Sequence, residues 1–199
     1  MTTFRPKHVS DLAFEPLTPA RWPDLVRLFG ERGACGGCWC MAWRLKSADF
    51  ARRKGAKNRA AFRRIVRRGP PPGVLAYRGG EAIGWCAVAP RAELRWLEGS
   101  RVLSPIDNAK VWSISCLFVA RPARRSGISV ELLRAAADFA GRHGARIVEG
   151  YPVVPRTGAL PDVFAWTGTL SAFLRAGFSE AARRSKARPI VRRQLRPAR

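Results

Sequence analysis

Acidic residues are scarce in this chain. Fourteen Asp and Glu stand against 37 Lys and Arg, for a formal net charge of +23. Few side chains are therefore available as a carboxylate base. Histidine is rarer still, with only His8 and His143. His8 falls in the N-terminal tail, and His143 follows a helix beside Gly144, where a contact with the helix C-terminus is expected rather than catalysis. No run of about 18 consecutive apolar residues occurs, which excludes a membrane-spanning helix. The first seven residues, Met1-Thr2-Thr3-Phe4-Arg5-Pro6-Lys7, lack the apolar stretch of a secretion signal, and a cytoplasmic location is expected. Five cysteines is an odd number, and Cys86 and Cys116 fall in apolar, strand-like runs, so a full disulfide framework is excluded and reduced thiols are expected. Cys35-x-x-Cys38-x-Cys40 has no second Cys-x-x-Cys to complete a zinc site, and these thiols read as packing groups beside Trp39 and Trp43. Internal repeats and long low-complexity linkers are also missing.

What remains suits one globular domain over 1–199, with loose ends at 1–9 and 196–199. At 199 residues and 47% hydrophobic content the chain can fill one core, but it is short for two. The basic residues cluster. Arg52, Arg53, Lys54, Lys57, Arg59, Arg63, Arg64, Arg67 and Arg68 fall in one predicted helix, capped by Ser47 or Asp49 and ended by Gly69-Pro70. A second cluster, from Arg183 to Arg199, occupies the tail. Such clusters attract polyanions such as nucleic acid without naming one, and they also serve as plain solvated surface.

The order of elements predicts an α/β or α+β fold with one mixed sheet. Leu12 to Leu17 reads as a strand, and Thr18-Pro19 opens a helix to about Phe29. Gly73–Tyr77 and Ala82–Val88 flank a Gly79-Gly80 turn and read as a hairpin. Residues 90–110 form an excursion with a short helix, and Val111–Val119 is a long apolar strand. Leu132, Leu133, Ala136, Phe139 and Ala140 mark an amphipathic helix. Ala145–Tyr151 is a strand, Thr169–Ala176 a short helix closed by Gly177, and Pro189–Leu195 a last strand.

The most informative stretch is the turn before the amphipathic helix. Arg124-Arg125-Ser126-Gly127-Ile128-Ser129 places arginines and a glycine at a helix N-terminus, where unpaired amides and the positive end of the dipole attract anions. With the strand Leu117-Phe118-Val119 directly upstream, it resembles the acyl-CoA motif of the GNAT superfamily of N-acetyltransferases, Q/R-x-x-G-x-G/A, from which Ser129 departs mildly. The hairpin, the helix and Phe173-Leu174-Arg175-Ala176-Gly177-Phe178 follow in the order of that family, so the resemblance covers roughly residues 10–195. It implies a twisted mixed sheet with helices on both faces, splayed between its fourth and fifth strands, Val111–Val119 and Ile147–Tyr151. Acetyl-CoA would be the donor, its pyrophosphate on Arg124, Arg125, Ser126, Gly127, Ile128 and Ser129 and its chain along Leu117, Phe118 and Val119.

The resemblance also implies direct attack of an amine on the donor carbonyl, aided by a base and an acid. The family's frequent acid is a tyrosine, and Phe173 stands in its place. Tyr151 is the candidate replacement, with Glu149 and Asp162 as candidate bases. Strand alternation puts Glu149 and Tyr151 on one face. By the same resemblance the Cys- and Trp-rich segment lies at the acceptor pocket, with Trp39, Trp43 and Trp166 as lining. Its Gly-Cys-Trp-Cys-Met-x-Trp-Arg pattern is similar to one subgroup of that family. The expected activity is acyl transfer, acetyl first, to a small-molecule amine by a monomer or homodimer. The alternative is an aminoacyl-tRNA-dependent or RNA-associated acyltransferase using Arg52, Arg53, Lys54, Lys57, Arg63, Arg64 and Arg67 to hold RNA.

Overall fold

The computed structural model describes residues 11–154 and 165–195. Seven strands, β1 (Leu12–Pro16), β2 (Gly73–Arg78), β3 (Glu81–Pro90), β4 (Trp112–Val119), β5 (Ile147–Gly150), β6 (Ser179–Arg183) and β7 (Pro189–Gln194), form one sheet. Their order is β1-β2-β3-β4-β5-β7-β6. Neighbours run antiparallel except β4 and β5, which are parallel. A parallel pair needs a crossover, and helix α4 (Ile128–Arg142) supplies it. The β2–β3 hairpin turns at Gly79 and Gly80, both at positive φ (56° and 78°), as a tight hairpin turn requires.

The helices cover the sheet on two faces. The predicted stripe Leu132, Leu133, Ala136, Phe139 and Ala140 is fully buried on α4. It packs with Val74, Ala76, Cys86, Val88, Ile114 and Val148 of the sheet, together with Phe173 of α5 (Leu170–Arg175). On the opposite face α1 (Trp22–Phe29) and α3 (Ala56–Arg68) close over Leu75, Trp85 and Ala87. A third cluster, Trp43, Leu94, Leu97, Leu103, Tyr151 and Ile190, lies under the excursion that follows β3. The Thr169 hydroxyl caps α5, accepting from the Ala172 N–H.

Three expectations change. The single basic helix is two, α2 (Ser47–Arg52) and α3, separated at Gly55 with φ 79°. The break has a tertiary cause: the Gly55 N–H donates to Gly37 O at 2.9 Å and Asn58 Nδ2 donates to the same oxygen at 3.3 Å. Neither Ser47 nor Asp49 caps; the N-cap is Lys46, with no side-chain cap bond. The excursion holds two 3-10 turns, Arg91–Glu93 and Arg95–Gly99, in place of one short helix, and β6 was not expected. That edge strand is mostly exposed along Ser-Glu-Ala-Ala-Arg and carries no alternation to betray it.

Candidate active site

The sheet opens where its one parallel pair diverges. Only Trp112, Ser113 and Ile114 of β4 pair with β5. On the other side, Ala87 faces Cys116 and Val88 faces Ile114, so Ser115 is an extra residue, a β-bulge that bends β4 away from β5. Beyond the bulge lies a cleft of about 640 Å³. Leu117, Phe118 and Val119 form one wall, and Ala165, Trp166, Gly168, Thr169, Ala172 and Arg175 form much of the other. Its mouth is the turn before α4, with Arg124, Arg125, Gly127, Ile128 and Ser129 at the surface of the cleft. Ser126 is the member of the predicted set outside the lining; its hydroxyl donates to Ala123 O at 2.7 Å and closes the turn from behind.

The turn is built to present amides. Arg125 sits at φ 59° and Gly127 at φ 82°, two left-handed residues that rotate successive N–H groups outward. None of the backbone N–H groups from Arg125 to Ser129 donates to a carbonyl among the described residues. Arg124 Nε donates to Val119 O at 3.0 Å, anchoring the turn to the end of β4. A Cβ on Gly127 would meet nothing within 4 Å, so the glycine is demanded by its backbone angle while the space before it stays open.

A second cavity of about 270 Å³ adjoins the cleft. The two share Ala34, Cys35, Leu117, Phe118 and Trp166, and the Leu117 N–H donates to Trp166 O at 2.7 Å along this common wall. Trp43, Phe50, Ser115 and the thiols of Cys38, Cys40 and Cys116 complete it. Burial pushes the Cys38 thiol up to about 11. The hydrogen bond with Cys40 and burial hold Cys116 well above the ordinary range as well. The Cys38 and Cys116 thiols are therefore neutral near pH 7. Trp43 and Trp166 stand edge to face at 5.6 Å, as expected of lining residues. Trp39 does not join them. It is 2% exposed and packs against Trp22 and Phe29 at 6.0 and 5.7 Å, because its left-handed φ of 43° turns the ring into the core under α1.

Known proteins share this fold. The model of the acetyltransferase (GNAT) family matches residues 39–160, more than half of the chain. The chain belongs to the GNAT family. It is accordingly an N-acyltransferase, of a family that moves acyl groups from acyl-CoA to amines. No curated protein sequence matches it. A GNAT-family acetyltransferase structure from Listeria monocytogenes is 9% identical, with a TM-score of 0.55 over 92% of this chain and 95% of that one. The NatC complex bound to a Gag peptide and CoA is 12% identical, with a TM-score of 0.53 over 94% and 99%. The ribosomal-protein-alanine N-acetyltransferase of Brucella melitensis is 15% identical, with a TM-score of 0.51 over 92% and 99%. At such identities the likeness is one of fold, and it selects no acceptor.

Within this GNAT fold the candidate acid and base are placed differently from expectation. Glu149 and Tyr151 do share a face of the chain at β5, but they are 1% and 0% exposed and line neither cavity. Tyr151 donates to Glu149 Oε1 at 2.6 Å and pairs with the Ser113 hydroxyl at 2.8 Å. Arg91 Nη1 reaches both residues, at 3.0 Å from Glu149 Oε1 and 2.5 Å from the phenol oxygen. Arg192 Nε donates to Glu149 Oε2 at 2.8 Å, and its other nitrogens grip Asp107 at 2.6 and 3.1 Å. Burial, with the Glu149 charge next, drives the phenol far above its usual value, so it stays protonated. A carboxylate with both oxygens engaged and sealed from solvent is not placed to take a proton from an amine. The network instead backs the wall of the second cavity, since the Tyr151 ring lies 5.2 Å from that of Trp43. Sequence reasoning had no means to find Arg91 or Arg192, which are 58 and 43 residues from Glu149. Asp162 lies outside the described residues.

Phe173 is fully buried, its ring wedged so close to Gly150 that a Cβ there would lie 2.1 Å from Cε1. His143 caps α4, 4.1 Å from the Phe139 ring, with Nδ1 2.9 Å from Phe139 O. Of the basic segment, Arg52 pairs with Asp49 at 2.7 Å, Lys54 lies over Phe50 and Arg59 over Trp39. Arg59, Arg63, Arg64 and Arg67 flank Ala56 and Ala60 along a surface groove on α3. Neither these nor Arg53 and Lys57 line the cleft or the second cavity. All five cysteines are free, and the described residues contain no group of three or more His, Cys, Asp or Glu able to hold a metal ion. No helix among them is long and apolar enough to cross a membrane.

Proposed function

We propose that the chain transfers an acyl group, acetyl in the simplest case, from acyl-CoA to a small primary amine. The observation that carries the reading is the row of outward amides from Arg125 to Ser129 at the mouth of a cleft that runs along β4 into a second cavity. A pyrophosphate fits such a turn, because the amides and the α4 dipole favour negative charge and Arg124 and Arg125 add cations. Leu117, Phe118 and Val119 would flank the donor's arm. Trp43 and Trp166 would hold the acceptor at the wall shared by both cavities.

Acyl-CoA supplies an activated carbonyl with a thiolate leaving group. The amine lone pair forms the new C–N bond as the C–S bond breaks, the amine gives up one proton, and the thiolate takes up one. Holding both reactants against the residues that the two cavities share makes the encounter effectively intramolecular. Glu149 and Tyr151 act as positioning residues in this reading, through Trp43.

The test is calorimetry with CoA and acetyl-CoA on the parent and on Gly127→Val. The parent should bind both. The variant should keep its fold by circular dichroism and lose affinity by at least about tenfold, since a β-branched residue at that φ is strained by ~1–2 kcal/mol and intrudes on the anion position. Unchanged affinity would refute the placement. Binding of tRNA, released by salt, in a protein that ignores CoA would overturn the donor and favour the aminoacyl-tRNA alternative, for which the arginine groove on α3 is the supporting feature.

A further inference from the structure

The second cavity has a chemical character that narrows the acceptor. We infer that it takes a compact aromatic amine, reacting as its free base, rather than a polyamine, an aminoglycoside-like polycation or a peptide lysine. The inference rests on the acceptor assignment proposed above. Three observations carry it.

The first is the absence of charge. No Asp, Glu, His, Lys or Arg side chain lines the cavity among the described residues; its polar groups are thiols and the Ser115 hydroxyl. Among the described residues the charged groups lining the adjoining cleft are Arg124, Arg125 and Arg175. An ammonium in such a place would lose its hydration without gaining a counter-ion, which disfavours the charged form and lowers the amine's own pKa. Cys38 and Cys116, held neutral, give no thiolate to compensate it.

The second is the shape of the wall. Trp43, Phe50, Phe118 and Trp166 surround a volume of about 270 Å³. At ~30 Å³ per water this equals roughly nine waters, room for one ring on a short arm, so it is the lining and not the volume that tells a ring from a polyamine. Trp43 and Trp166, in edge-to-face contact with each other, present one continuous aromatic wall against which a further ring can pack.

The third is the long-range field. A formal charge of +23 opposes the approach of dications and trications, and Asp49, next to Phe50 in the chain, is already paired with Arg52. The step itself balances without a protein base when the amine arrives unprotonated. Its N–H proton passes to water after C–N bond formation, and the departing thiolate is protonated from water.

The experiment compares phenethylamine and benzylamine with putrescine, spermidine and a lysine peptide, using acetyl-CoA and thiol release, at two pH values below the amines' pKa. Acceptor binding is measured separately by quenching of tryptophan fluorescence with no donor present. The aromatic amines should show kcat/KM at least about tenfold higher than the polyamines, and kcat/KM should rise about tenfold per pH unit with the free-base fraction. Phe50→Glu, a change at a partly exposed position of the wall, should narrow the gap between putrescine and benzylamine by about tenfold, because it supplies the missing counter-charge. Equal or reversed preference in the parent overturns the inference while leaving acyl transfer standing, as would polyamine use that Asp162→Asn abolishes. Acetyl-CoA binding with neither quenching nor transfer by any aromatic amine also overturns it. Failure to bind acetyl-CoA brings down the donor reading itself, and is told apart by the calorimetry.

Discussion

Replacing Glu149 with Gln separates a positioning role from a catalytic one. Its carboxylate accepts from Tyr151, Arg91 and Arg192, and the two guanidinium side chains are only 14% and 11% exposed. Removing one partner of a buried ion pair costs about 3–5 kcal/mol, because the remaining charge is left uncompensated. Arg192 keeps Asp107, so the lower end applies, about 3 kcal/mol. For a chain of this size each kcal/mol moves Tm by about 2–4 °C, which gives a fall of about 6–12 °C. Differential scanning calorimetry at low and high salt is the assay. Because the pairs are buried, the fall should persist in salt that would screen a surface pair. Donor affinity should be unchanged, and the acceptor KM should rise as Trp43 loses its backing. A Tm shift under about 2 °C combined with a loss of turnover of 10²-fold or more, on the order of a lost general base, would refute the reasoning and restore Glu149 to the chemistry.

Other consequences are equally direct. Trp39→Ala should cost about 3–5 kcal/mol by denaturant unfolding, as expected for emptying a core site, whereas Trp166→Ala should leave stability within about 1 kcal/mol and raise the acceptor KM. Gly150→Ala forces a Cβ onto the Phe173 ring and should destabilise by about 1–3 kcal/mol, with partial recovery when Phe173→Leu is added; no change in Tm would mean that the ring is not seated there. Iodoacetamide near neutral pH should label Cys35, the exposed thiol, well before the other four, as read by mass spectrometry. The raised Cys38 pKa means the fold favours the neutral thiol. That contribution is complete below the ordinary value of 9.0 and is lost as pH climbs toward about 11. Cys38→Ala should flatten the alkaline decline of stability over that interval, and an unchanged pH profile would discount the burial.

Local chemistry made much of this protein legible in its sequence. The Gly79-Gly80 hairpin, the short helix after Thr169, the buried stripe of α4 and the glycine-bearing turn at Arg124–Ser129 each depend on residues within about two helical turns of one another, and spacing alone reports them. Where the outcome depended on distant partners, spacing misled. The basic helix is broken because Gly37, 18 residues upstream in the chain, takes the Gly55 amide. Trp39 and Trp43 are equally aromatic, yet one is core under α1 and the other faces the cavity, a choice made by a left-handed backbone turn that no hydrophobic pattern records. Strand alternation put Glu149 and Tyr151 on one face correctly, but whether that face meets solvent depended on the excursion that brings Arg91 over it and on the β7 pairing that brings in Arg192. The sequence by itself therefore determined most of the elements and the glycine-bearing turn before α4, because both are written in short-range backbone chemistry. Only the tertiary structure decided which aromatic and titratable groups face the cleft, because burial depends on what is brought over a residue from far along the chain.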